Sequence, residues 1–163
     1  MRFGAIRRSL KRRNPHKLPA FWESLSERPQ LARTLARHIE ALEEGSIPRR
    51  THELCALMVA WLNACENCTQ THSEIALRLG VDRATLDELG DFARSDRFAP
   101  GERAVLAAAV ALTREPRALP QAVRAELERH YDSGEIVEIV ATIGLYNYLT
   151  RANNALRAPT TVT

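Results

Sequence analysis

Two thiols, an imidazole and a carboxylate fall within a short stretch of this chain. Cys65-Glu66-Asn67-Cys68-Thr69-Gln70-Thr71-His72 is a C-x-x-C-x-x-x-H run, and Glu53 stands twelve positions before Cys65. Those four groups are the parts of a dithiol redox centre. The thiols can close into a disulfide, the imidazole can move protons, and the carboxylate can orient the imidazole. In a helix, offsets of three and seven share a face, so Cys65, Cys68 and His72 are expected to line up. A C-x-x-C at the start of a helix also meets the positive end of the dipole, which favours thiolate over thiol.

The same residues have plainer readings. Cys65 and Cys68 can be small buried hydrophobes, although C-x-x-C spacing argues against it. A zinc site built from Cys65, Cys68, His72 and Glu53 is disfavoured, because structural zinc prefers two well-separated ligand pairs. His72 can be a core histidine, and Glu53 can be an acid placed near a helix N-terminus. His52 competes with Glu53 for the carboxylate's role. Cys55, inside an apolar stretch, reads as packing. Tyr146 and Asn147 either line the site or satisfy polar groups between helices.

The elements that must position these groups read as helices, with almost no strand signal. Ala20–Ser26 is expected to form a short helix. Pro29 opens a longer one through Leu31, Leu35, Ile39 and Leu42, stopped by Gly45. Thr51–Leu62 is apolar on almost every side beyond Glu53 and reads as a central buried helix. The motif helix follows, with Cys68, His72, Ile75, Ala76 and Leu79 on one stripe and Gly80 as its stop. Asp82 caps a short helix to Leu89. A loop through Pro100-Gly101 leads to Glu102–Thr113, and Pro120 opens a helix to Tyr131. Asp132-Ser133-Gly134-Glu135 is a capping box for a long helix to about Leu156. Its inward stripe is Ile136, Ile139, Val140, Ile143, Asn147 and Thr150. The expectation is an all-α domain of about six to eight helices, with a central buried helix pair carrying the motif.

Bulk properties agree with one soluble domain. A chain of 163 residues, 45% hydrophobic and 26% charged, is long enough for a substantial core. The longest apolar run, Leu54–Leu62, is nine residues, about half of the ~20 that a bilayer requires. Three cysteines, two of them in C-x-x-C, together with no signal-peptide pattern, point to the cytoplasm. Residues 1–17 form a basic arm with seven Lys and Arg and no acid; sixteen basic against twenty acidic residues leave the rest at −4. The arm reads as a solvated terminal segment rather than a nucleic-acid binder, since Phe3 is its only aromatic residue. Residues 18–163 are expected to form the single domain.

From about Pro29 to Leu156 the chain resembles the alkylhydroperoxidase D / carboxymuconolactone decarboxylase family. The resemblance lies in Pro48-Arg49-Arg50-Thr51-His52-Glu53-Leu54 leading to Cys65-x-x-Cys68-x-x-x-His72-x-x-x-Ala76. It continues in Glu102-Arg103-Ala104-Val105-Leu106 before Leu112-Thr113-Arg114, and in Glu135-Ile136-Val137-Glu138 running to Tyr146-Asn147. Family proteins with the cysteine pair look like thiol peroxidases or disulfide reductases, and the decarboxylase branch lacks the pair. Alkylhydroperoxidase D proteins often carry His immediately before the second cysteine, where this chain has Asn67.

The resemblance implies that Cys68 attacks a peroxide and that Cys65 resolves the sulfenic acid and faces the reductant. His72 is then expected to accept the thiol proton, with Glu53 orienting it or relaying the proton through water. It implies no cofactor, an external dithiol reductant (a lipoyl group or a thioredoxin-like protein), and a homo-oligomer, trimer or hexamer. Two alternatives remain: a dithiol–disulfide oxidoreductase or redox sensor without efficient peroxide turnover, and a non-catalytic helical protein holding metal at the same residues.

Overall fold

The computed structural model describes Phe21, residues 24–115 and residues 117–156. Among these residues every regular element is helical: α1 Pro29–Glu43, α2 Arg49–Leu62, α3 Glu66–Arg78, α4 Arg83–Asp87, α5 Pro100–Arg114, α6 Gln121–Glu128 and α7 Ser133–Leu156. Single 3₁₀ turns lie at Leu25–Glu27 and Leu89–Asp91. The basic arm over residues 1–17 lies outside the described residues. So does part of the helix expected over Ala20–Ser26, whose described end closes into the first 3₁₀ turn.

Helix α2 is the axis of the molecule. All ten residues from Thr51 to Ala60 are buried, as expected of a helix apolar on nearly every side. It packs most extensively against α3, α5 and α7. Leu54, Met58 and Val59 of α2 join Val105 and Leu106 of α5 and Ile139 and Ile143 of α7 in one core. Each large side chain removed from water there contributes roughly 1.5–3 kcal/mol. A smaller cluster packs Leu35 and Leu42 of α1 beside Leu145 of α7.

The helix ends follow their local chemistry. Pro29 and Pro100 occupy first turns, where a missing N–H costs nothing. Asp82 caps α4 by accepting from Thr85 N at 2.7 Å. The capping box of α7 is complete: Asp132 Oδ1 accepts from Glu135 N and Glu135 Oε2 from Asp132 N, each at 2.8 Å. Gly80 has φ +86°, and α3 ends in a Schellman turn, with Val81 N bonded to Ala76 O and Gly80 N to Leu77 O.

Several expectations shift. Pro100-Gly101 is the first turn of α5, not a loop; a Cβ at Gly101 would stand 2.9 Å from the Tyr131 hydroxyl. Helix α6 ends at Glu128, before Tyr131. Leu79 and Val140, placed on inward stripes, are exposed. Leu79 is the residue at which α3 turns away, and Val140 faces out from α7. Gly45 lies just past the end of α1 because of a close approach: a Cβ there would collide with the Glu138 carboxylate, which accepts from Ser46 N at 2.7 Å and Ile47 N at 3.1 Å.

Candidate active site at the α2–α3 turn

The cysteines sit where one helix ends and the next begins. Cys65 N bonds to Ala60 O and Ala64 N to Trp61 O, so α2 also closes in a Schellman turn. The left-handed residue is Ala64 at φ +50°, a conformation that costs a non-glycine residue about 1 kcal/mol or more. Cys65 is at once the last residue of that turn and the N-cap of α3, and Cys68 stands one turn into the new helix. Cys65 therefore lies at the head of α3 rather than on its face. The two sulfurs are joined in a disulfide, with Cα atoms 5.3 Å apart. Both residues are buried, Cys65 at 2% exposure and Cys68 at 7%, so within one chain Cys65 is not the more open of the pair.

His72, one turn beyond Cys68, reaches across to α2. Its Nδ1 lies 2.8 Å from Glu53 Oε2. Burial by itself pushes the Glu53 carboxyl up, but the facing His52 and His72 imidazoles hold it well below the usual carboxylate range. Of those two contacts only His72 has hydrogen-bond length, since His52 Nδ1 is 3.6 Å from Glu53 Oε1. Arg49 Nη2 adds an ion pair to Glu53 Oε1 at 3.1 Å. An ionised carboxylate accepts, so His72 Nδ1 carries the hydrogen, and in the neutral ring Nε2 is left as a base. Tyr146 packs its ring edge-on against His72, with centroids 4.8 Å apart, and against His52 at 5.6 Å. Burial and the Glu53 charge push its phenol well above the ordinary range.

His52 itself is 1% exposed, and neither ring nitrogen has a hydrogen-bond partner among the described residues. Glu53, not His52, makes the contact with His72. Cys55 is fully buried and its thiol is pushed up to about 12, by burial first and by Glu53 second, which agrees with the packing role read for it. Among the described residues no group of three or more His, Cys, Asp or Glu side chains is arranged to hold a metal ion.

The third wall of the site comes from α7. Asn63, the C-cap of α2, donates from Nδ2 to Asn147 Oδ1 at 2.9 Å and to Thr150 Oγ1 at 2.8 Å. Asn154 Nδ2 donates to Asn63 O at 2.9 Å, and Asn147 Nδ2 to Thr113 Oγ1 of α5 at 3.0 Å. This seam fastens α7 beneath the α2–α3 turn. Beside it, Asn153 Nδ2 donates to Cys68 Sγ at 3.2 Å. Asn147 and Tyr146, left open by the sequence, thus have different duties: Asn147 ties helices together, and Tyr146 backs the histidine.

Sequence reasoning missed Asn153 and gave Arg49 no role. Asn153-Asn154 is a pair of poor helix formers inside a long helix, a signal that their side chains are engaged elsewhere. Arg49 stands four residues before Glu53, the spacing of a helical ion pair.

Residues 29–111 match the model of the Carboxymuconolactone decarboxylase family. YdfG of Bacillus subtilis (strain 168) is 27% identical over 115 residues, covering 70% of this chain and 78% of that protein. Among solved structures, the debrominase Bmp8 superposes with a TM-score of 0.85 at 25% identity, covering 96% of this chain and 84% of its own. A cysteine-to-alanine variant of that protein is also known in complex with 2,3,4-tribromopyrrole. An alkylhydroperoxidase AhpD core, a peroxidase-related protein from Ralstonia eutropha JMP134, superposes at 0.77 with 18% identity, covering 90% and 78%. The matched residues run through the whole of α2 and α3, the two helices that carry Glu53, the cysteine pair and His72, and the chain belongs to the carboxymuconolactone decarboxylase family, with an AhpD-like fold.

Proposed function

We propose that the protein is a thiol-dependent peroxidase that reduces hydrogen peroxide or organic hydroperoxides through a Cys65/Cys68 cycle. The observation that carries this reading is the 2.8 Å contact between His72 and Glu53, set one helical turn from a cysteine already paired with its neighbour. Likeness to a peroxidase-related AhpD core supports it.

In the reduced enzyme His72 Nε2 takes the Cys68 proton while Glu53 fixes the ring through Nδ1. The thiolate attacks the peroxide, the O–O bond breaks, and one oxygen leaves as water or an alcohol after accepting a proton. Cys68 is left as a sulfenic acid. Cys65 attacks it, releases water and closes the disulfide. An external dithiol, a lipoyl group or a thioredoxin-like protein, returns two electrons and two protons. No cofactor enters the cycle. The working place is the cytoplasm, and the working form a trimer or hexamer.

A second reading is favoured by the debrominase likeness. The same two electrons, delivered to a carbon–bromine bond, replace bromine by hydrogen and release bromide as the disulfide closes. Steady-state assays with dithiol separate the two readings. The first requires catalytic loss of peroxide that disappears in Cys68→Ser; the second requires bromide from a brominated pyrrole with peroxide turned over poorly. If the pair cycles only with added disulfides, both give way to a dithiol–disulfide oxidoreductase.

A further inference from the structure

We propose that Asn153 is a catalytic residue of this site, a fixed donor that holds the negative charge on Cys68 whenever that sulfur is a thiolate. The inference rests on the reading of Cys68 as the attacking cysteine. Asn153 Nδ2 lies 3.2 Å from Cys68 Sγ, and Asn153 is buried at 8% exposure.

A neutral sulfur is a weak acceptor, so this bond contributes little while the disulfide stands. An N–H facing S⁻ makes a charge-assisted bond, roughly twice as strong as a neutral one. The interaction therefore favours one state of Cys68 over the others. Such help is needed, because burial raises a thiol, as Cys55 shows at about 12. The start of α3 supplies part of it through the helix dipole. Asn153 adds a direct donor to the sulfur, from a helix 85 positions away in sequence.

An amide does not titrate. The donor is present at every working pH and never competes for the proton that His72 takes. Labour is divided: His72 and Glu53 move the proton, and Asn153 holds the charge left behind. The donor is aimed by its surroundings, since Thr150 and Asn154 on either side of it are bonded to Asn63 at the end of α2.

The same donor acts on the return half of the cycle. An external thiolate attacks Cys65 Sγ, the S–S bond breaks, and its electron pair departs on Cys68 as a thiolate. A lower-energy leaving thiolate leaves faster. Asn153 thus directs reductant to Cys65 by making Cys68 the better leaving group.

The test is the pH dependence of Cys68 alkylation by iodoacetamide in a Cys65→Ser background, mapped by peptide mass, in Asn153 protein and in its Ala, Asp and Gln variants. Asn153→Ala is expected to raise the midpoint by about one pH unit, a tenfold loss of thiolate below both midpoints. The rate there falls only about threefold, because a more basic thiolate is a better nucleophile. Asn153→Asp, nearly the same shape, is expected to raise the midpoint further by placing like charge beside S⁻, and Asn153→Gln to restore part of the shift. A merely structural role lowers the unfolding temperature and leaves the midpoint in place. An unmoved midpoint in Ala and Asp overturns the proposal; if the Ala variant does not fold, the Asp and Gln pair decides. The alkylation needs no peroxide, so failure of the peroxidase reading leaves this result standing.

Discussion

Glu53 is the carboxylate that faces His72, 2.8 Å from its Nδ1. It is buried at 1% exposure and ionised against Arg49 and His72. Glu53→Gln keeps the shape and removes the charge. Losing the charged hydrogen bond to His72 costs about 2 kcal/mol, the partly exposed Arg49 adding little because it also faces Glu43. The loss of an oriented base slows thiol attack by about a hundredfold. Thermal unfolding and single-turnover oxidation check the two effects separately. The sign with pH follows from the depressed carboxyl. Its stabilisation is fully present above the ordinary value of 4.5 and drains away as pH falls below it. An acid titration of the parent should steepen below that point, and Glu53→Gln should flatten it. Cys55 gives a second test at this scale. With its thiol pushed up to about 12, it stays protonated from pH 7 to 9. Iodoacetamide on reduced native protein should label the C-x-x-C cysteines and spare Cys55, and labelling of Cys55 at a comparable rate would contradict its burial.

At the scale of elements, the turn between α2 and α3 sets the site. Ala64 holds a left-handed conformation where most helices of this kind end in glycine. Ala64→Gly should therefore stabilise the protein by about 1 kcal/mol, raising the unfolding temperature by roughly 2–4 °C. Gly80 has the opposite sign: it holds φ +86° with open space around it, so Gly80→Ala should cost about 1 kcal/mol by backbone strain alone. Differential scanning calorimetry reads both.

These two turns also show how far the sequence could be read. Gly80, Asp82 and the Asp132–Glu135 box announce helix ends through short-range hydrogen bonds, and the buried run of α2 announces itself by having no polar face. Ala64 announces nothing, because the bonds that close α2 around it, Ala64 N to Trp61 O and Cys65 N to Ala60 O, set a left-handed position without a glycine to mark it. Periodicity misplaces Leu79 and Val140 because it marks a face without saying whether another element covers it. The contact between Glu53 and His72 was legible as spacing along two neighbouring helices. The bond from Asn153 to Cys68 was not, since nothing local links residues 85 positions apart.

For the whole molecule, the outer face of α7 carries a row of exposed apolar side chains: Val137 at 68%, Val140 at 41% and Tyr148 at 44%. They recur at helical spacing on a helix whose other side is core, and they are the face that the proposed trimer or hexamer would bury. Sedimentation equilibrium should give a mass of three or six times 18.3 kDa, and Val137→Glu with Val140→Glu should shift it toward the single chain. No helix among the described residues is long and apolar enough to cross a membrane. The assignment of attack to Cys68 can be read at the sulfur itself. Reduced Cys65→Ser protein is treated with one equivalent of hydrogen peroxide in the presence of a sulfenic-acid trap, and the adduct is mapped by mass spectrometry. A trapped sulfenic acid on Cys68 is expected here, and a rapid Cys65–Cys68 disulfide in the parent. A Cys68 thiol that stays free in both proteins would contradict it.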